Sequence, residues 1–137
     1  MNDNGTSQKY TTRFGDSSES GGAPDAEGTE DLGVFGFLRG RTDRAEMLEL
    51  KKRTGDIRAI AYGWIQKVDF DPSAGITLHA GADTITIKGR NLNVVARQQI
   101  SLLGGIIRHR AAWIAESDQS AVLQADKNSI VVEAIEW

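Results

Sequence analysis

The chain has 137 residues, of which 39% are hydrophobic and 26% charged, and its formal net charge is -3. This composition is typical of one small soluble domain. The lack of cysteine excludes a disulfide framework, a thiol nucleophile and a thiolate metal site, and it fits a reducing compartment. No apolar run approaches the ~20 residues that span a bilayer, so we expect a cytoplasmic protein that does not enter the membrane.

The charge is unevenly distributed along the chain. Residues 1–31 contain seven acidic and two basic residues, five glycines, and only Tyr10 and Phe14 as aromatic residues. Such a segment buries too little apolar surface to offset the entropy lost on ordering, so we predict a disordered acidic tail. Residues 32–137 carry 14 basic and 12 acidic residues. We predict that they form a single, mildly basic α+β domain.

The first segments of this domain favour β structure. Residues 32–38 are apolar but interrupted by two glycines, which is typical of a short strand or extended segment at an edge. Residues 43–53 allow two interpretations. Asp43 and Glu46 have the spacing of a helix capping box, while the alternation in residues 48–51 and the turn residues after it are typical of a hairpin. We favour the hairpin because the chain that follows is β.

Alternating apolar residues continue from Arg58 to Phe70 and indicate a half-buried strand. Residues 76–78 and 84–87 alternate in the same way across a short connection and predict a β-hairpin. The buried face of that hairpin is expected to consist of Ile76, Leu78, Ile85 and Ile87. Residues 92–94 are predicted to begin a further short strand.

The apolar spacing then changes to three or four residues, which predicts a helix over about residues 98–116. Gly104 and Gly105 lie within it and reduce its helix propensity. A short extra turn at 121–125 and a C-terminal strand at 129–137 complete the order. The predicted fold is therefore α+β, a small antiparallel sheet or partly closed barrel with one packed helix and a C-terminal strand. Trp113 and Trp137 are expected to point into its core.

The sequence offers little material for catalysis. His79 and His109 are its only histidines, and no stretch has the pattern of a nucleotide phosphate loop. Asp69, Asp71 and Asp83 supply oxygen ligands that a hard cation could bind, but the EF-hand spacing is missing, and we favour solvated carboxylates at a hairpin end. We expect no catalytic residues, no cofactor and no metal, hence a protein that is not an enzyme.

Basic and amide side chains near the predicted helix are the candidate binding residues. Arginines beside an aromatic residue are suited to grip a phosphate or a carboxylate-bearing partner. The alternative is a solvated helix face whose arginines pair with Glu116 or Asp118. The six candidates are Lys88, Arg90, Asn91, Arg108, His109 and Arg110.

Residues 63–71, 76–78 and 85–92 resemble the two motifs of Sm-type RNA-binding barrels. Those motifs are a strand that follows glycine and leads to aspartate, and a later hydrophobic-Arg-Gly-Asn turn between two short strands. This chain has Lys88 in place of the usual arginine, residues 74–75 in place of the RNA-contacting asparagine, and a further helix and strand afterwards. The resemblance implies a small barrel that binds RNA.

Two functions are therefore carried forward from the sequence. The first is a non-catalytic protein-interaction or assembly domain, whose partner is another protein or a second copy of the chain. The second is a nucleic-acid binding module of Sm-like type that uses the basic candidates, with RNA as the expected ligand.

Overall fold

The computed structural model describes residues 28–40, 42–96 and 99–137. The chain divides into two units, residues 1–28 with 39–41 and residues 29–38 with 42–137, and every strand and helix described belongs to the second. Most of the predicted tail lies outside the described residues. Its last three residues, Thr29–Asp31, form a strand, so the domain begins earlier than the predicted boundary at residue 31.

Five strands form the first sheet. They are β1 (Thr29–Asp31), β2 (Phe35–Leu38), β3 (Met47–Lys51), β4 (Ile57–Ala61) and β8 (Ala111–Ala115). Their order across the sheet is β1-β2-β8-β3-β4, and the neighbours are antiparallel except for β3 and β8, which are parallel. The segment predicted as an edge strand is thus β2, which has a neighbour on both sides.

Four antiparallel strands form the second sheet. They are β5 (Ile65–Asp71), β6 (Gly75–Ala80), β7 (Asp83–Arg90) and β9 (Val131–Glu136), in the order β5-β6-β7-β9. A 3₁₀ turn, Tyr62–Trp64, joins β4 to β5. Two short helices, α1 (Leu102–Ile107) and α2 (Gln119–Gln124), lie between β7 and β9 in the chain.

Both hairpins favoured by the sequence are present. β3 pairs with β4 through residues 47–51 and 57–61, and β6 pairs with β7. The four residues predicted to form the buried face of the second hairpin, Ile76, Leu78, Ile85 and Ile87, are all fully buried. Alternation predicts these elements well because side chains in a strand point to opposite faces with a period of two.

The two sheets share one hydrophobic core. Leu48, Leu50 and Ile114 enter it from the first sheet, and the buried face of the β6–β7 hairpin enters from the second. Leu102 of α1 is also fully buried in it. The predicted α+β class is confirmed, with two packed sheets in place of one sheet under a helix. The sheets do not close into a barrel.

The predicted helix over residues 98–116 is wrong in its extent. Of the described residues 99–116, only Leu102–Ile107 is helical, and Ala111–Ala115 is the central strand of the first sheet. The pairing of β2 with β8 shifts register by one residue, so Ala112 is an extra residue and both Ala111 and Ile114 face the core. This bulge gives a buried spacing of three, which imitates a helix in the sequence.

Two further predictions fail near this strand. Residues 92–94 form turns and not a strand, although Leu92 is buried. Trp113 lies outside the core, on the opposite face of the sheet from Ile114. Its indole covers Gly36, where a Cβ atom would collide with Trp113 Nε1, and Lys51 Nζ lies 5.1 Å from the ring centroid. Trp137 is partly buried against the core, as predicted.

A buried carboxylate connects the two sheets. Glu116 follows β8, its side chain is only 9% exposed, and it accepts the Arg53 N–H at 2.8 Å and the Ile135 N–H of β9 at 2.7 Å. The Arg53 guanidinium donates to the carbonyl oxygens of Ser117 and Glu133. The turn after β3, the end of β8 and the edge of β9 are therefore held together by one network of charge-assisted hydrogen bonds.

We expect Glu116→Ala to lower the free energy of unfolding by about 3 kcal/mol, because it leaves two N–H groups without their acceptor and removes the carboxylate that lies 4.0 Å from the half-buried Arg53 guanidinium. Urea unfolding measures this loss. The control is Glu49→Ala, which removes an exposed ion pair of 3.9 Å with Lys51 and is expected to cost less than about 0.5 kcal/mol. Equal losses in the two variants would contradict the role of Glu116.

Candidate binding surface

The candidate residues on β7 pair with acidic residues of β9. Lys88 Nζ lies 3.2 Å from Glu136 Oε2, and Arg90 Nε lies 3.4 Å from Glu133 Oε2. Arg90 also donates to the carbonyl oxygen of Val122 at 3.0 Å. These carboxylates offset the two positive charges that the nucleic-acid hypothesis assigns to phosphate contacts.

Asn91 has a left-handed backbone conformation, with φ of 62°. Its side-chain amide donates to the carbonyl oxygens of Lys127 at 2.9 Å and Ser129 at 2.6 Å, which lie in the loop before β9. Asparagine adopts this conformation more readily than most residues. In the structure Asn91 thus fixes a loop.

Arg108, His109 and Arg110 lie in the loop between α1 and β8 and not on one helix face. Arg108 is exposed, and the His109 ring stacks on Tyr62 with centroids 4.5 Å apart. Arg110 donates to the carbonyl oxygen of Leu38 and lies 4.9 Å from the Phe37 ring centroid. The six candidates therefore form two groups, one on the second sheet and one next to the first, and their role in binding stays a prediction.

The three aspartates considered for a cation do not converge. Asp71 pairs with Gly75 at one end of β6, and Asp83 pairs with Ala80 at the other end. Asp69 pairs with Thr77 in the middle of β6, and its Oδ2 lies 3.1 Å from His79 Nε2. Among the described residues, no group of three or more histidines and carboxylates is arranged to hold a metal ion.

A groove that the sequence analysis did not anticipate runs along β4, the last strand of the first sheet. Residues 58–61 of β4 line it. The other lining residues are Met47, Trp64 of the 3₁₀ turn, and Ala80, Asp83 and Ile85 of the β6–β7 hairpin. The lining contains residues from both faces of β4, and β4 is the last strand of its sheet, so the groove lies along the open edge of the sheet. We call it the β4 groove.

The main-chain groups of β4 on this side have no strand to pair with in the described chain, since β4 is the last strand of its sheet. Tyr62 N–H donates to Glu46 O and Lys52 N–H to Asp56 O, and the register between these two bonds is uniform. Hydrogen-bonded pairs alternate along an antiparallel ladder. Residues 58 and 60 therefore bond to β3, while Ile57, Ala59 and Ala61 direct their N–H and C=O groups away from β3, and Ala59 and Ala61 are among the residues that line the groove.

Large apolar side chains are exposed around this open edge. Trp64 is 66% exposed, Ile57 61% and Met47 45%. Single exposed apolar residues are ordinary, but three of them beside unpaired main-chain groups mark a surface suited to a protein partner. The groove also has one charge near each end. Arg58 lies near Trp137, and Asp83 lies beside Ala80, which pairs with the first residue of β5.

The other three sheet edges in the described chain are protected. β1 has three residues, two of them acidic, and β5 carries the charged side chains of Lys67, Asp69 and Asp71. β9 is covered by hydrogen bonds to the side chains of Glu116, Ser117 and Arg53. Short length, charge and covering groups are the usual protection of edge strands. Within the described residues, β4 has none of these except Arg58.

The chain matches no family model, no curated protein and no solved structure in the comparisons. The resemblance to Sm-type barrels therefore stands on the two motifs alone, which the structure places on β5 and β7 with β6 between them. Within the described residues, every helix is too short to cross a membrane.

The β5–β6 turn makes a pH-dependent contribution to stability. Hydrogen bonds from the backbone N–H and then the hydroxyl of Ser73, both 2.8 Å, hold the pKa of Asp71 below its usual range. A carboxyl whose folded pKa is lowered stabilises the protein above its ordinary pKa of about 4, and this contribution is lost as the pH falls through the lowered value.

We therefore expect Asp71→Asn to make the melting temperature less sensitive to acid. The amide keeps an acceptor for Ser73 at every pH, so the difference between the variant and the parent changes below about pH 4 and is constant between pH 5 and 8. Thermal unfolding from pH 2.5 to 8 measures it. If the melting temperatures of the two proteins follow parallel curves from pH 2.5 to 8, the pH-dependent contribution of Asp71 is excluded.

Proposed function

We propose that this chain is a protein-interaction domain that binds an extended segment of its partner along the open edge of β4. The segment adds a strand to the first sheet. Main-chain hydrogen bonds to Ile57, Ala59 and Ala61 supply affinity, and contacts with Met47 and Trp64 supply preference for apolar side chains.

The observation that carries this proposal is the coincidence of an open strand edge with a groove that follows it. An exposed and apolar edge strand is a hazard for aggregation, and proteins usually protect such edges. The protection of β1, β5 and β9 makes the open β4 edge a distinct feature of the surface. Strand addition gives this edge a use, since it satisfies the outward N–H and C=O groups and covers the apolar side chains.

Small residues in β4 support the same function. The side chains of Ala59 and Ala61 lie on the outer face of the sheet with that of Ile57. Alternate residues of β4 share a face, and each shares it with the residue directly opposite on β3. The methyl groups of Ala59 and Ala61 leave the backbone accessible to an incoming strand. In contrast, long charged side chains at these positions would be the usual means of blocking an edge.

The test is the Ala59→Pro variant, because the N–H of Ala59 points away from β3. Proline at an edge position with an outward N–H removes a donor for the partner without breaking the ladder inside the sheet. A displayed library of seven-residue peptides is selected on the full-length protein, and the affinities of enriched peptides are measured by fluorescence polarisation. We expect peptides with alternating apolar residues to bind at least about tenfold more weakly to Ala59→Pro.

The matched control is Ala59→Thr, which keeps the N–H and favours strand conformation. Its affinity for the same peptides is expected to lie within about threefold of the parent protein's, since the N–H groups of its β4 edge are all present. Thermal unfolding of both variants verifies that the fold is kept. Peptides that bind equally to all three proteins, or a library that yields no binders while the parent protein is monomeric, would overturn the proposed function.

A further inference from the structure

We infer that the occupant of the β4 groove is β4 of a second copy of this chain, paired antiparallel about a twofold axis through Ala59. The inference rests on the proposed function, since it names the strand that the open edge receives. The resulting dimer would have one continuous sheet of ten strands, because each copy contributes the five strands of its first sheet.

The hydrogen-bonding pattern of β4 is symmetric about Ala59. The residues with outward N–H and C=O groups are 57, 59 and 61, and antiparallel pairing about residue 59 places 57 opposite 61, 59 opposite 59 and 61 opposite 57. Each of these is a hydrogen-bonded pair, so the outward groups of the five-residue strand are all satisfied at once. A shift of one residue would place outward groups opposite inward ones.

The charges of the groove are complementary in this arrangement. Arg58 is near the start of β4, and Asp83 lies near its end, beside Ala80 and the residues that follow Ala61. Antiparallel pairing reverses one copy against the other. It therefore brings Arg58 of each copy toward the end of the groove that holds Asp83 of the other copy, and the two ion pairs form by symmetry.

The side chains that would face each other are also compatible. Arg58 lies opposite Ile60 of the second copy, and Ile57 lies opposite Ala61, so no like charges are directly opposed. At the centre, Ala59 lies opposite Ala59 of the second copy, so two uncharged methyl groups face each other across the axis. The exposed Ile57 loses contact with water in both copies.

A cysteine placed on the twofold axis tests this register directly, because the chain has no cysteine of its own. Residues in a hydrogen-bonded antiparallel pair have Cα atoms about 5.5 Å apart, which a disulfide can bridge. We expect the full-length Ala59→Cys variant to form a covalent dimer under mild oxidation, and Asn93→Cys, which places a thiol on an exposed turn, to remain monomeric. Equal cross-linking of the two variants, or none at residue 59, would overturn the inference.

Charge reversal provides a second measurement without cysteine. Sedimentation equilibrium of the full-length protein is expected to show a dimer whose dissociation constant rises at least about tenfold in Arg58→Asp and in Asp83→Arg. The double variant restores both ion pairs with reversed polarity and is expected to return within about threefold of the parent. A double variant no tighter than the single ones would contradict the proposed contact.

These outcomes are separable from those of the peptide selection. If Ala59→Cys does not cross-link and the parent sediments as a monomer, while library peptides still depend on the Ala59 N–H, the second copy is excluded as occupant and the interaction domain is retained. If neither peptides nor a second copy depend on this edge, both proposals fail. A dimer that persists unchanged in Ala59→Pro would place the interface elsewhere and overturn the inference.

Discussion

The arrangement of the two sheets depends on the carboxylate of Glu116. It lies just after the central strand β8 and accepts N–H groups from the turn after β3 and from β9, so one side chain joins the first sheet to the second. Arg53 completes the connection through the carbonyl oxygen of Glu133. The same network covers the edge of β9. It thereby protects one edge of the second sheet, whereas the β4 edge of the first sheet, where the groove lies, has no such cover within the described residues.

Local patterns in the sequence predict the hairpins, since a turn and its two strands are adjacent and their alternation has a period of two. They do not predict the two-sheet arrangement, because β3 pairs with β8 in parallel across about sixty residues. The bulge at Ala112 adds a specific error. It places Ala111 and Ile114 on one face at a spacing of three, and helix periodicity is the signal that such a spacing imitates. Gly104 and Gly105 indicate in the sequence itself that a long helix is unfavourable there, because glycine has a low helix propensity.

The candidate site was less accessible to sequence reasoning than the fold. Proximity in the chain indicates a basic cluster, but Lys88 and Arg90 pair with acidic residues of β9 that lie more than forty residues away in sequence. The signal for the groove was present in residues 57–61, a strand pattern with one charge and two alanines, followed by an aromatic residue at 64. Whether such a strand is an edge depends on the order of the whole sheet, which a local pattern does not contain.

An open edge carries the risk of unlimited addition of strands, and symmetry is what removes it. When an edge pairs with its own copy about a twofold axis, both partners use the same edge and no free β4 remains for a third copy. The opposite edge of the first sheet, β1, has only three residues and two acidic side chains, so it is a poor template for further pairing. In contrast, pairing of β4 with a different edge would leave one β4 free in each complex and could continue as a fibre. The symmetry of the outward groups about Ala59 thus supports association that stops at two copies.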